Sequence, residues 1–155
     1  MEKINLRSPL TNSEWKKYFL FRWKILREPI GLDKKSTKDT LEEKSYHLMA
    51  TDINENILGV GRIHFLNKKE SQIRYMAVQE EYRKIGIGKQ IVIGLEGFSI
   101  KNDRYKIILN ARDNAVNFYS RLGYKIIGPY DAGIGIDHYK MSKNLEIVFP
   151  SSNGP

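Results

Sequence analysis

The feature that most constrains the fold is a strand-like segment that runs into a glycine-rich loop and then an amphipathic helix. In SQIRYMAVQ, Ser71–Gln79, apolar and polar residues alternate with the period of two typical of a β-strand. The loop EEYRKIGIGK follows, and apolar residues then recur at helical spacing, at Ile87, Ile91, Leu95 and Phe98. A strand, a tight turn and a helix in this order indicate a mixed α/β domain.

The rest of the chain alternates in the same way and contains no repeat or low-complexity linker. We predict one domain over residues 1–145. In its first helix we expect Ser13 as the N-cap and Phe19, Trp23 and Leu26 on one face. Strands are predicted around Ile4–Leu6 and in YHLMATD, ILGVGRIHFL, YKIILNA, YKIIGPY and IDHYKMSK, and helices in TNSEWKKYFLFRWKILREPIG and DNAVNFYSRLG.

Composition narrows the chemistry and the partners. The 155 residues include no cysteine, which excludes disulfides and a cysteine nucleophile and fits a cytoplasmic protein. No apolar run approaches the ~20 residues of a membrane span, so we expect no membrane partner. Lys and Arg outnumber Asp and Glu by 26 to 18, and the formal charge of +8 favours anionic partners, with a solvated basic surface as the alternative. Residues 146–155 end in turn formers, and we predict a flexible C-terminal tail.

The glycine-rich loop predicts an anion-binding site. The first turn of a helix offers unpaired N–H groups and the positive end of the helix dipole, and glycines allow a phosphate to approach the main chain. A P-loop requires Ser or Thr where this chain has Gln90, and a dinucleotide fingerprint requires a small residue where it has Ile91. The remaining pattern is Arg83-x-x-Gly86-x-Gly88, and a glycine-rich turn with surface lysines is the structural alternative.

This pattern, between a strand and a helix, resembles the GNAT superfamily of acetyl-CoA-dependent N-acetyltransferases. A second similarity is NAVNFYSRLGY, Asn114 to Tyr124, and the order of the elements follows that fold along nearly the whole chain. The resemblance implies the GNAT acyl-CoA N-acyltransferase fold, which has a central mixed, mostly antiparallel sheet flanked by helices, and acetyl-CoA as the acetyl donor.

The same resemblance assigns roles to individual residues. It implies that Tyr119 protonates the departing CoA thiolate, and packing in the core is the alternative for this side chain. The cofactor-binding residues that it implies are Met76, Ala77, Val78, Arg83, Lys84, Ile85, Gly86, Ile87, Gly88, Lys89 and Asn114.

A closer resemblance, to the glyphosate N-acetyltransferase subgroup, runs through RWKILREP, IRYMAV, EEYRKIGIGK, LNAR, FYSRLGY and GIDHYKM. Enzymes of this subgroup acetylate the amine of acidic, amino-acid-like acceptors. The resemblance implies that Arg27, Arg74 and Arg112 bind the acceptor and that His138 is catalytic. The segments Gly31–Lys44 and PYDAGIG, which shape the acceptor pocket in this fold, do not follow the subgroup closely.

These residue types suit the implied roles. The planar fork of arginine grips a carboxylate or phosphonate with two hydrogen bonds, and three converging arginines require an anion between them. Alternation along the strand places Arg74 on the face of Met76 and opposite Tyr75. Histidine has an ordinary pKa of ~6.5 and can take a proton from an ammonium near neutral pH. The structural alternatives are a hydrogen-bonding role for His138 and a helix-end charge for Arg27.

The sequence therefore predicts an enzyme that transfers acetyl from acetyl-CoA directly to the amine of a small anionic acceptor. We expect no metal, because no His, Asp and Glu cluster has ligand spacing, and we interpret His47 and His64 as strand residues. We expect no nucleic acid partner and either a monomer or a homodimer. The alternatives are a protein or peptide N-acetyltransferase, a non-catalytic CoA-binding module, and a basic nucleic-acid binder, for which only HFLNKKE around Phe65 is a weak candidate.

Overall fold

The computed structural model describes residues 3–146, so the predicted tail, apart from Glu146, lies outside the described residues. Within that range the chain forms seven strands and three α-helices. They are β1 (Asn5–Arg7), α1 (Asn12–Leu26), β2 (Tyr46–Thr51), β3 (Ile57–Phe65), β4 (Glu70–Val78), α2 (Ile87–Lys101), β5 (Lys106–Arg112), α3 (Val116–Arg121), β6 (Lys125–Tyr130) and β7 (His138–Asn144). Short 3-10 turns occur at Glu28–Ile30, Lys34–Thr37, Glu42–Lys44, Glu80–Ile85 and Asp113–Ala115.

The seven strands form one sheet in the order β1-β2-β3-β4-β5-β7-β6. All neighbours are antiparallel except β4 and β5, which confirms the expected mixed, mostly antiparallel sheet. Successive residues of a strand face opposite sides, so Leu48 packs against α2 whereas Met49 packs against Tyr18 of α1. The two long helices therefore cover opposite faces of the sheet.

The parallel strands β4 and β5 separate soon after they begin. They are paired only where Glu70–Gln72 meets Lys106–Ile108. Beyond these residues the two strands are no longer neighbours in the ladder, so a gap opens toward their carboxyl ends. Ligands bind at the carboxyl ends of strands in open α/β sheets, and this gap sets the position of the site.

A bulge in β4 changes which side chains face the gap. Tyr75 has a φ of 56°, and the register with β3 shifts between Val60 and Arg62. Arg74 and Tyr75 consequently both lie on the α1 side, where the Arg74 guanidinium is 4.6 Å from the Tyr75 ring centroid. Met76 packs into the cluster beneath α2. The prediction that Arg74 shares a face with Met76 and opposes Tyr75 was therefore wrong, because strict alternation ends at the bulge.

The N-cap of α1 lies two residues before Ser13, the predicted N-cap. Thr11 is the N-cap, its hydroxyl accepts a 3.1 Å hydrogen bond from the Glu14 N–H, and the Glu14 carboxylate accepts one from the Thr11 N–H. This capping box satisfies two helix-end donors at once. The fully buried residues of the helix are Tyr18 and Arg22, whereas the predicted apolar stripe is only half-buried.

Candidate active site

Two adjoining cavities occupy the gap between β4 and β5. The loop cavity, of about 490 Å³, lies beside the 3-10 turn Glu80–Ile85 and the start of α2, and the arginine cavity, of about 260 Å³, lies deeper between the strands. Both are lined by Leu26, Met76, Arg112, Ala115 and Tyr119. A larger open groove of about 880 Å³ lies at the opposite ends of the same strands, and none of the predicted site residues lines it.

The loop cavity contains most of the predicted cofactor-binding residues. Those that line it are Met76, Ala77, Val78, Arg83, Lys84, Gly88 and Asn114. Ile85, Gly86, Ile87 and Lys89 do not line it, and the Ile87 side chain is buried in the core. Sequence reasoning missed Asn117, Phe118 and Arg121, which line the cavity from α3. Helical spacing places Arg121 near Phe118, so the signal was present in the sequence.

The beginning of α2 has the geometry of an anion site. Gly86 is the N-cap with a φ of 90°, and no side chain caps the helix. The first-turn N–H groups therefore have no side-chain partner. Arg83 donates from Nε to the Val78 carbonyl at 3.0 Å, which holds the basic loop against the end of β4.

The two glycines of the loop have different functions. At Gly86 the positive φ favours glycine, and an added Cβ would meet nothing within 4 Å. At Gly88 an added Cβ would lie 3.0 Å from the Phe118 ring. The absence of a Cβ at Gly88 therefore makes room for a side chain of α3. That both glycines allow a phosphate to approach the main chain stays a prediction.

Tyr119 lies where the two cavities meet. Its ring packs edge-on against Phe118 and Tyr124, with centroids 5.0 and 5.7 Å away. Burial raises the pKa of the Tyr119 phenol above its ordinary value. The hydroxyl consequently stays protonated at neutral pH and can donate a proton or a hydrogen bond toward either cavity.

Two guanidinium groups of the arginine cavity have no carboxylate partner among residues 3–146. Arg27, at the C-cap of α1, and Arg112, at the end of β5, both donate to the Leu26 carbonyl. Burial lowers the pKa of both side chains, and the charge of Arg112 lowers the pKa of Arg27 further. The two cations therefore repel each other and are only partly compensated by main-chain oxygen.

Arg74 lines the same cavity but is paired. Its Nη1 donates to Asp39 Oδ2 at 2.8 Å, and its side chain is 45% exposed. Asp39 also holds the buried Arg62, with Oδ1 and Oδ2 at 2.7 and 2.9 Å from the two terminal nitrogens. The expectation of three uncompensated arginines is therefore corrected to two, with the third shared between Asp39 and the cavity.

His138 lies in the wall of the arginine cavity. It is the first residue of β7, lies opposite Arg112 in the ladder, and is 8% exposed. Its Nδ1 is 2.7 Å from the Ile136 carbonyl oxygen. Because a carbonyl only accepts hydrogen bonds, Nδ1 carries the proton, and Nε2 of the neutral ring has a free lone pair.

Several residues of the arginine cavity were not predicted from the sequence. They include Gln72, Tyr75, Asn110, Tyr130 and Ala132. Tyr130 and Ala132 belong to the PYDAGIG loop, whereas no residue of Gly31–Lys44 lines the cavity, so that segment reaches it only through Asp39. The Oδ1 atom of Asn110 is buried without a partner. Alternation along β5 places Asn110 with Arg112, and this signal was overlooked.

Two general properties of the described residues bear on the site. Among residues 3–146 no group of three or more His, Asp or Glu side chains could hold a metal ion. None of the helices in that range is long and apolar enough to cross a membrane. His47 and His64 lie in β2 and β3 as predicted, and both are buried.

Comparisons with known proteins identify the family. The model of the family described as "Acetyltransferase (GNAT) domain" matches residues 30–145. The Bacillus subtilis (strain 168) protein YyaT is 31% identical over 107 residues, 69% of this chain and 71% of the relative. The uncharacterized N-acetyltransferase YjcF of the same organism is 30% identical over 107 residues, 68% of this chain and 75% of the relative.

Solved structures show the same fold at lower sequence identity. A GNAT-family acetyltransferase from Staphylococcus aureus Mu50 superposes with a TM-score of 0.79 and 21% identity, and covers 93% of this chain and 100% of its own. An aminoglycoside 6'-N-acetyltransferase complexed with coenzyme A has a TM-score of 0.77 at 16% identity, with 96% and 99% covered. With the family match over residues 30–145, these findings show that the chain belongs to the GNAT family of acetyltransferases, enzymes that use acetyl-CoA as the acetyl donor.

Proposed function

We propose that this GNAT enzyme binds acetyl-CoA in the loop cavity and transfers the acetyl group to the amine of a small anionic acceptor in the arginine cavity. One observation carries the acceptor assignment: three arginines line the arginine cavity, no Asp or Glu side chain among residues 3–146 lines it, and two of these arginines have no carboxylate partner in that range. A buried cation without a counter-ion is costly. An acceptor that brings a carboxylate, phosphonate or phosphate supplies the missing charge.

The loop cavity fits a pyrophosphate-bearing donor. Its wall combines the main chain of Met76–Val78, which is free of β5, with the basic side chains of Arg83, Lys84 and Arg121. The uncapped start of α2 adds N–H groups and the positive end of the helix dipole. The solved relative with coenzyme A shares this fold and supports the assignment. Acetyl-CoA would supply an activated thioester carbonyl next to Tyr119.

Direct transfer follows from the residues around that position. The chain has no cysteine to carry an acetyl group. His138 Nε2 would take the proton of the acceptor ammonium, so that the free amine attacks the thioester carbonyl. Tyr119, kept neutral by burial, would donate its proton to the departing thiolate. Both substrates must be bound together in this scheme, so the kinetics are sequential.

The size and charge of the arginine cavity define the acceptor class. A volume of about 260 Å³ suits an amino-acid-sized molecule. The resemblance of IRYMAV, LNAR and GIDHYKM to the glyphosate N-acetyltransferase subgroup supports an amino-acid-like acceptor. The aminoglycoside named in the solved relative is polycationic, and three arginines would repel such an acceptor.

The test compares two matched series of amines at fixed acetyl-CoA, with thiol release as the readout. We expect amino acids and aminophosphonates to have a kcat/KM at least tenfold above that of neutral amines of equal size, the scale of one charged hydrogen bond. Initial-velocity patterns should intersect. Equal use of both series would refute the anionic pocket and favour a peptide amine, and a ping-pong pattern would refute direct transfer.

A further inference from the structure

We propose that Asp39 is a positioning residue for the acceptor: it holds the Arg74 guanidinium in the arginine cavity and so links the segment Gly31–Lys44 to acceptor binding. The inference rests on the proposed function, because it assumes that Arg74 binds the anionic group. Asp39 does not itself line the cavity, so it acts only through Arg74.

Asp39 is itself rigidly held. Both of its oxygens bind Arg62, whose side chain is fully buried, and its Oδ1 also accepts the Leu41 N–H at 2.9 Å. Its own N–H donates to Glu42 Oε2 at 3.0 Å. A carboxylate with these contacts cannot follow a moving partner, so it fixes the one arginine that reaches it from the cavity.

Arg74 needs such a fixed partner more than the other cavity arginines do. Its side chain is 45% exposed on a strand, whereas those of Arg27 and Arg112 are half-buried and meet at the Leu26 carbonyl. A free arginine loses considerable rotamer entropy when it binds a ligand, and this cost falls when the side chain is already held in place.

The contact also decides which edge of Arg74 can bind the acceptor. Nη1 is engaged by Asp39, and Nε and Nη2 have no hydrogen-bond partner within residues 3–146. These two nitrogens lie along one side of the guanidinium and present two parallel N–H groups. An acceptor carboxylate or phosphonate would therefore be gripped side-on, while Asp39 occupies the end of the fork.

Two opposing effects of Asp39 predict opposite results on its removal. Neutralising Asp39 would free positive charge on Arg74 and raise affinity for an anion, whereas loss of positioning would lower it. Charge on a side chain that is 45% exposed is screened by water. We therefore expect positioning to dominate.

The experiment measures the KM of an anionic amine, a neutral amine and acetyl-CoA for Asp39→Asn. We expect the KM for the anionic amine to rise about tenfold, the scale for immobilising one long side chain. The kcat, the KM for acetyl-CoA and the kcat/KM for the neutral amine should not change. Glu42→Gln is the matched control, because Glu42 binds Arg22 and Arg62 in the same cluster and has no contact with Arg74, while the amide oxygen of Gln can still accept the Asp39 N–H. It should lower Tm similarly and leave the KM for the anionic amine unchanged.

A double-mutant cycle separates action through Arg74 from a general effect on the loop. In an Arg74→Ala background, Asp39→Asn should cause no further rise in the KM for the anionic amine. If Asp39→Asn does not fold, Asp39→Glu keeps the charge, displaces the carboxylate and should show a smaller rise. An unchanged or lower KM, an equal loss with neutral and anionic amines, or an undiminished effect in the Arg74→Ala background would overturn the inference. Wild-type enzyme that does not prefer anionic amines would instead refute the proposed function.

Discussion

Two groups of arginines meet at Arg74, and they are compensated in different ways. The buried group, Arg22 and Arg62, is bound by the carboxylates of Asp39 and Glu42 at 2.7 to 3.0 Å. The cavity group, Arg27 and Arg112, shares one main-chain carbonyl and has no carboxylate among the described residues.

The difference teaches how a structural cation can be distinguished from a binding one. Where the chain supplies its own carboxylates, removing one partner leaves a buried charge and costs stability. Where it supplies none, the free energy of the unpaired charge is available to bind a ligand, and the protein is less stable without that ligand. Matched substitutions in the two groups should therefore affect different measurements.

The largest effect should come from the buried group. Arg62→Ala leaves Asp39 paired only with the partly exposed Arg74 and Glu42 paired only with Arg22, and breaking a buried ion pair in this way costs about 3 to 5 kcal/mol of the free energy of unfolding. Urea unfolding of the variant and the wild type measures this loss. Arg62→Met with Asp39→Asn, which removes one charge of each sign and keeps the pair between Glu42 and the buried Arg22, is the control and should recover much of the stability.

Stability equal to the wild type in Arg62→Ala would show that the buried group does not hold the fold together. The two groups would then no longer differ in kind.

The next effect should appear in catalysis and leave stability unchanged. Arg112→Ala removes one fork from the cavity and should lower kcat/KM for an anionic amine by about 30- to 1000-fold, or roughly 2 to 4 kcal/mol of transition-state binding. Arg112→Lys should not restore the rate, because an ammonium lacks the bidentate geometry. The Tm without ligand should stay the same or rise, since repulsion from Arg27 is relieved. A fall in Tm matching that of Arg62→Ala would place Arg112 in the structural group.

Sequence reasoning predicted the elements well and the compensation of charges poorly. Alternation and helical spacing identified β2 to β7, α2 and α3, because those patterns reflect burial on one face. The resemblance named Arg27, Arg74, Arg112 and His138, and the structure brings all four to one cavity. Their roles in binding and catalysis remain predictions.

Two features of the site could not be predicted from local sequence patterns. The bulge at Tyr75 requires a positive φ in a residue that is not glycine, and its only correlate is the register shift opposite it in β3. The pairing of Asp39 with Arg62 and Arg74 joins residues 23 and 35 positions apart, through a loop of 3-10 turns. The sequence of a polar loop does not show whether its carboxylates face solvent or a buried cation. The contacts of Asp39 could therefore be identified only from the folded structure.

A smaller effect is expected when the cavity arginines are given a carboxylate partner, as the buried arginines have. Ala132→Asp adds a carboxylate to the wall that contains Arg27 and Arg112. We expect the KM for an anionic amine to rise about tenfold, and the Tm without ligand to rise, because the new charge compensates the cations and repels the acceptor. Ala132→Asn is the size-matched control and should change neither value. If Asp and Asn have equal effects, the cause is steric and charge compensation does not distinguish the two groups.

The smallest expected effect is a loss of stability at low pH, caused by two histidines next to the buried arginines. His64 Nδ1 lies 3.1 Å from Arg62 Nη2, and His47 contacts the Glu42 carbonyl at 2.7 Å. Burial lowers the pKa of both imidazoles, with nearby arginine charge adding to the shift. Each folded pKa lies below the unfolded value of ~6.5, so the folded state binds fewer protons and stability is complete above that pH.

Stability is then lost as pH falls through the folded pKa values. The Asp39 carboxyl, whose pKa is held well below its usual range by Arg62 against the opposing effect of burial, stays ionised over this interval and does not contribute to the loss. Thermal unfolding between pH 8 and pH 5 should therefore show a Tm that is level near pH 8 and declines below ~6.5, by a few degrees for each ~1 kcal/mol. The double variant His47→Gln, His64→Gln should flatten this decline, while Arg112→Ala should keep it. If Tm declines as steeply with falling pH in the double variant, His47 and His64 do not cause the loss of stability in acid.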